Sequence, residues 1–124
     1  MKLYESAEDY LERILQLQET KEKVISLDIA KSMNYSKPSV SRAMKNLREN
    51  GYITIDGAGI ITLTKKGYDI ANKIYERHKL ISQVLMRLGV SEENALKDAC
   101  KIEHDLSEET FEAIKAHLED VNRK

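Results

Sequence analysis

Residues 26–63 read SLDIAKSMNYSKPSVSRAMKNLRENGYITIDGAGIITL, and a change of hydrophobic period inside this stretch decides the fold. In its first part Leu27, Ile29, Ala30 and Met33 recur at helical spacing. Ser26 stands ahead of them as a cap, and Asp28 falls in the first turn, where a carboxylate complements the helix dipole. Asn34 and Tyr35 break the pattern. Ser36-Lys37-Pro38 then opens a second helix, because serine caps well and proline is tolerated in a first turn that needs no amide donor. Val40, Ala43, Met44 and Leu47 carry its apolar face, and Asn50-Gly51 closes it, since glycine accepts the left-handed cap conformation. Beyond Gly51 the period falls to two. Tyr52-Ile53-Thr54-Ile55-Asp56 and Ile60-Ile61-Thr62-Leu63 are β-branched runs flanking Gly57-Ala58-Gly59, which predicts a two-stranded hairpin.

The same reasoning extends to both sides. Upstream, Tyr4, Ala7, Tyr10, Leu11, Ile14, Leu15 and Leu17 predict a helix from about residue 5 to about residue 20. Downstream, Thr64 caps a long helix that runs through Ile70, Ile74, Leu80, Ile81, Val84, Leu85 and Leu88 to Gly89. Ser91-Glu92-Glu93 and Ser107-Glu108-Glu109 each open a further helix with a serine cap followed by acids. The expected fold class is therefore mostly α with a small β-hairpin: an N-terminal winged helix-turn-helix over residues 1–72, then a helical unit over 73–124, with the boundary inside the long helix.

Composition narrows the function classes. With 41% hydrophobic residues and a formal net charge of -1, the 124-residue chain can bury enough apolar surface to fold, so intrinsic disorder is excluded. Uninterrupted apolar runs such as Ile60-Ile61 and Val84 to Met86 fall far short of the roughly 20 residues needed to cross a bilayer. No apolar segment of the signal-peptide kind follows Met1, and the single cysteine, Cys100, cannot form an internal disulfide; both point to a reducing cytoplasm.

The near-neutral total hides an asymmetry. Ser36 to Asn50 carries Lys37, Arg42, Lys45 and Arg48 against Glu49, a net +3, whereas residues 91–124 carry a net -5. A short helix, a tight turn, a basic helix and a hairpin, in that order, suit binding of double-stranded DNA, with the basic helix in the major groove. Ser36, Lys37, Pro38, Ser39, Ser41, Arg42 and Lys45 are the expected contact residues: small polar groups allow close approach, Arg42 can pair with guanine, and Lys37 and Lys45 suit phosphates. The hairpin tip, Asp56-Gly57-Ala58-Gly59, has no basic side chain, so any phosphate contact there would have to come from backbone amides.

A second constellation has the chemistry of metal ligands. Cys100, Glu103 and His104 stand at i, i+3 and i+4, which puts thiolate, carboxylate and imidazole on one helical face. Asp9 and Glu12 are one turn apart on the first helix, and His78 lies on the long one. Each has a plainer reading: the two acids facing water, the cysteine a small core residue, His78 a surface group. A metalloenzyme would use similar ligands, but the chain has no His-Glu-x-x-His pair, glycine-rich phosphate loop or separate general base, so no enzyme is expected.

Taken together, Ala7-Glu8-Asp9-Tyr10-Leu11-Glu12, the winged-helix order and Asp98-Ala99-Cys100-Lys101-Ile102-Glu103-His104-Asp105-Leu106-Ser107 resemble the diphtheria toxin repressor family of metal-dependent transcriptional regulators. The resemblance implies a homodimeric repressor of metal-uptake genes, with iron(II) or manganese(II) as corepressor bound between the DNA and dimerisation domains, and a palindromic operator. It implies a ligand set of Asp9, Glu12, His78, Cys100, Glu103 and His104. The pattern is mixed: a manganese-responsive member has a carboxylate where Cys100 stands, and an iron-responsive one has methionine where Asp9 stands. Ser82 and Leu96 replace the acid and histidine of an ancillary iron-branch site, which leaves that site incomplete or rebuilt from His78 and Glu12. The ligand softness favours iron(II), with manganese(II) the close alternative. The chain matches short members without an SH3-like third domain. The rivals are a winged-helix regulator that senses something other than metal, and a small metalloenzyme.

Overall fold

Ser36, Ser91 and Ser107 each stand immediately before a helix, and Asn34 immediately after one. The computed structural model describes residues 5–123. It contains α1 (Glu5–Gln18), α2 (Ser26–Met33), α3 (Lys37–Glu49), β1 (Ile53–Ile55), β2 (Ile61–Leu63), α4 (Lys65–Arg87), α5 (Glu92–Ile102) and α6 (Glu108–Arg123). Tyr4, placed by its spacing on the first helix, lies outside the described residues. The chain divides into two compact units, Met1–Lys73 and Ile74–Lys124, with the division falling within α4.

The core of the first unit collects one face from each element. Leu11 and Ile14 of α1, Ile29 of α2, Val40, Met44 and Leu47 of α3, and Ile53 and Ile61 of the hairpin are all buried. Each contributes roughly 1.5–3 kcal/mol by leaving water, before ordering entropy is subtracted. In the hairpin β1 and β2 pair antiparallel with Ile53 opposite Leu63 and Ile55 opposite Ile61. Ile53 and Ile61 therefore face inward while Thr54 and Thr62 face solvent. Val24, in the connection between α1 and α2, accepts the Ile61 amide at 2.8 Å and extends the hairpin by one rung.

Local side-chain bonds hold the connections. Ser36 caps α3, its Oγ accepting the Ser39 amide at 3.3 Å. Ser26, expected as the cap of α2, is instead its first helical residue, and Ile25 holds the cap position. Asp28 explains the shift: its Oδ2 accepts the Ile25 amide at 3.0 Å, the role an acid plays in a capping box, so no cap side chain is needed. Asn34 ends α2 in the left-handed region at φ 58°, which asparagine tolerates better than most residues. Thr64 accepts the Gly67 amide and donates to the Gly51 carbonyl at 2.7 Å, tying the start of α4 to the end of α3. Gly67 has no freedom to vary, because a Cβ there would run into the Tyr52 carbonyl.

At the hairpin tip Asp56 has a structural role. Its Oδ1 accepts the amides of both Ala58 and Ile60 at 2.9 Å, closing the turn, so two of the amides that could have met phosphate are already used.

In the second unit Ile74 and Ile81 of α4, Ala95 and Ala99 of α5, and Phe111 and Leu118 of α6 are buried. Ser91 and Ser107 cap their helices by accepting the Asn94 and Thr110 amides. Gly89 turns the chain out of α4 at φ 103°.

Asp28 gives a pH test of this capping. The hydrogen bond from Lys21, at 2.6 Å, and then the Ile25 amide hold its carboxyl below the ordinary carboxylate value. The stabilisation is complete above the unfolded value of about 3.9 and is lost as pH falls through the lowered folded value. Urea melts of the wild type and Asp28→Asn are expected to differ at pH 6 and to converge in strong acid; a constant gap across that range would show that the charge plays no part.

Candidate metal centre and nucleic-acid interface

The second unit gathers three donors from two helices. His78 projects from the middle of α4, and Cys100 from the last turn of α5. Glu103 is the C-cap of α5 but retains helical dihedrals, φ -57° and ψ -26°, so the spacing from Cys100 persists beyond the helix. One donor atom from each of His78, Cys100 and Glu103 lies within 4.8 Å of the others. His78 Nδ1 is 3.0 Å from Glu103 Oε2 and 3.7 Å from Cys100 Sγ. Donors bound to one transition metal at about 2.0–2.3 Å stand roughly 3–4 Å apart, so the arrangement fits an ion with little movement.

His104 departs from the expectation of a single helical face. It lies past the end of α5, in the turn, with its Nε2 3.5 Å from the other oxygen, Glu103 Oε1. Glu103 therefore has an imidazole at each oxygen, and its side chain is wholly out of water. Full burial of a carboxylate is costly unless positive charge or hydrogen bonds compensate it, and a divalent ion would supply that compensation. Cys100 is exposed, so the reading of it as a small core residue fails. His78 is not a surface group either, with a side chain 12% exposed.

Asp9 and Glu12 stand on α1 in the first unit. Asp9 is half-buried and Glu12 buried, so the plain reading of two acids facing water does not hold for Glu12.

The basic face of α3 is where the spacing puts it. Val40, Met44 and Leu47 take the inward face, which leaves Lys37, Pro38, Ser41, Arg42 and Lys45 exposed and Ser39 half-buried. Ser36 is exposed too, but its hydroxyl is bonded to Ser39 Oγ at 2.8 Å as well as capping the helix. Lys37 and Ser41 also line a hollow of about 180 Å³ with Ser26 and Leu27 of α2.

Two residues of interest escaped the sequence analysis. Tyr35, in the turn before α3, is 51% exposed, with its ring edge-on to Tyr10 at 6.0 Å. Burial, followed by the nearby Tyr35, pushes the Tyr10 phenol above its ordinary value. Arg77, next to His78, is buried at the end of α5. An aromatic in a turn and an arginine in a charged run carry no periodic signal.

Comparison with known proteins bears on both sites. Residues 2–59 match the family model described as the iron dependent repressor N-terminal DNA binding domain, and residues 64–124 match the iron dependent repressor metal binding and dimerisation domain. An uncharacterized HTH-type transcriptional regulator of Methanocaldococcus jannaschii is 38% identical over 97% of this chain and 98% of its own length. The HTH-type transcriptional regulator MntR of Geobacillus kaustophilus is 36% identical over 88% of this chain and 77% of its own. Among solved structures, the manganese regulator SloR superposes with a TM-score of 0.81 at 33% identity, covering 91% of this chain and 53% of that one. IdeR of T. acidophilum gives 0.81 at 27% identity, covering 95% and 55%. The chain thus spans about half the length of those two solved chains.

A cobalt(II) titration tests the donor set directly. The wild type is expected to develop a near-ultraviolet thiolate-to-cobalt absorbance band that Cys100→Ser removes, and a titration without that band would exclude the thiolate from the site.

Proposed function

This chain belongs to the iron-dependent repressor family, and from that premise we propose that it is a homodimeric DNA-binding repressor whose affinity for its operator is raised by a divalent metal ion. One observation carries the reading. His78, Cys100 and Glu103 converge within 4.8 Å, in the same chain that presents a basic, exposed α3. Residues 1–72 form the DNA-binding domain in this proposal, and residues 73–124 the metal-binding and dimerisation domain.

His78, Cys100, Glu103 and His104 hold the ion, and Asp9 and Glu12 join the ligand set as the family resemblance implies. A bound ion would supply positive charge to this cluster of thiolate and carboxylate groups. If metal and DNA each favour the same conformation, each raises the affinity for the other by the same factor. Thiolate and imidazole must be free of protons to bind, so activation weakens in acid.

On the DNA side, Arg42 reads a base edge while Lys37 and Lys45 contact phosphates, and Ser36, Pro38, Ser39 and Ser41 allow close approach. A single helix reads only a few base pairs, so two copies on a palindromic site are needed. A mostly apolar groove of about 400 Å³, lined by Val84, Leu88, Ala113, Ile114 and Leu118 together with Arg87 and His117, supports pairing of this unit with a second copy. Leu88 at its edge is 76% exposed, an unfavourable position for a large apolar side chain in an isolated subunit. No helix among the described residues is long and apolar enough to cross a membrane, and a DNA-binding repressor would act in the cytoplasm.

The thiolate of Cys100 favours iron(II) as the activating ion, because soft donors and the order of divalent affinities both disfavour manganese. Manganese(II) is a second reading, favoured by the relatives: SloR is described as a manganese regulator, and a further match, at TM-score 0.82 and 30% identity, as a manganese-dependent repressor in complex with manganese.

Selection of bound duplexes from a random pool, with iron(II), manganese(II) or chelator, tests the function. Metal-dependent recovery of a two-fold symmetric site is expected, whereas recovery unchanged by chelator would point to a different signal. Against that site Arg42→Ala is expected to cost about 1–3 kcal/mol. Lys45→Ala should weaken all sequences alike and flatten the salt dependence, and an Arg42→Ala variant that keeps the preference for the site over random DNA would place Arg42 on the backbone instead. Cys100→Glu should move the activation midpoints toward manganese(II); identical midpoints for both ions in both proteins would remove Cys100 from the ligand set.

A further inference from the structure

Arg77 immediately precedes His78 on α4, and its side chain is only 6% exposed. A guanidinium is almost never buried without partners, and these partners are specific. Nη1 donates to the Glu103 carbonyl at 3.1 Å and to the Leu106 carbonyl at 2.8 Å, and Nη2 donates to Glu108 Oε2 at 3.3 Å. The guanidinium carbon also lies 5.2 Å from the centre of the Phe111 ring on α6.

The Glu103 carbonyl belongs to the C-cap of α5, where a helix leaves carbonyls without internal donors and favours a cation, and the Leu106 carbonyl lies in the connection that follows. Helix ends fray, and this one carries a ligand at its cap. We propose that Arg77 is a positioning residue of the metal centre, its Nη1 donating to both the Glu103 and Leu106 carbonyls and so holding the C-cap of α5 at the separation from His78 that the ion requires. This inference rests on the metal-binding reading given above. Because Arg77 and His78 are consecutive, the imidazole and the clamp on the opposing ligand move together. The Glu108 carboxylate is 60% exposed, so that ion pair contributes little and the two carbonyl bonds define the arrangement. A lysine ammonium has donors enough for two carbonyls but a shorter reach, and would replace the contact only in part.

The test is cobalt(II) binding to the full chain, followed by the thiolate-to-cobalt band and paired with circular dichroism of the metal-free protein. Arg77→Gln is expected to bind cobalt(II) about 10- to 100-fold more weakly, with a displaced band, at unchanged helix content. Arg77→Lys should fall between it and the wild type, and Glu108→Gln should stay within about two-fold of the wild type. Arg77→Gln that is folded, with the wild-type midpoint and band, overturns the proposal. If Arg77→Gln does not fold, Arg77→Lys decides: a weakened midpoint and displaced band support the clamp, and wild-type values overturn it. A wild type that binds no cobalt(II) at all overturns the metal reading and this inference with it, whereas wild-type binding unchanged in the variants overturns this inference alone.

Discussion

A carboxylate with no access to water sets the terms for the second unit. Glu103 is held between the imidazoles of His78 and His104, and removing its charge from solvent would cost several kcal/mol without such company. The requirement reaches outward through the chain. His78 must come from α4 at one height, Cys100 must sit one turn before the carboxylate, and the carbonyls at the C-cap of α5 and in the connection after it must find donors. Arg77 supplies those donors from the same helix as His78. The polar centre is thus built on the ends and faces of helices whose apolar residues, Ala95, Ala99 and Phe111 among them, pack behind it.

The first unit is organised differently, around apolar contact rather than charge. Its helices and hairpin bury one face each, and its connections are closed by short side chains: Ser36 at α3, Asp28 at α2, Thr64 at α4 and Asp56 in the hairpin. The polar residues of α3 are thereby left for solvent. A rigid platform with an uncommitted basic face is what a docking helix needs, since ordering it on contact would cost binding energy.

Much of this was legible in the sequence because it rests on period and punctuation. The switch from helical to alternating spacing at Gly51 marked the hairpin, and Thr64, Ser91 and Ser107 marked helix starts. The cap of α2 was misread because a capping box was satisfied from its acid side alone, by Asp28, which makes the serine look like the cap. The donors of the metal centre were legible as residue types, and the i to i+3 spacing of Cys100 and Glu103 survived the end of α5. That His104 stands in the turn could not be read, since spacing does not say where a helix stops. Arg77 and Tyr35 were not legible because their importance comes from neighbours distant in sequence.

Affinity gained from phosphate contacts is gained by releasing counterions, so it falls as ionic strength rises. A hairpin tip with no cation, and with its Ala58 and Ile60 amides already bonded, releases few of them. Any salt dependence of DNA binding is then carried by the basic face of α3, with Lys37, Arg42 and Lys45 exposed on it, rather than by the hairpin.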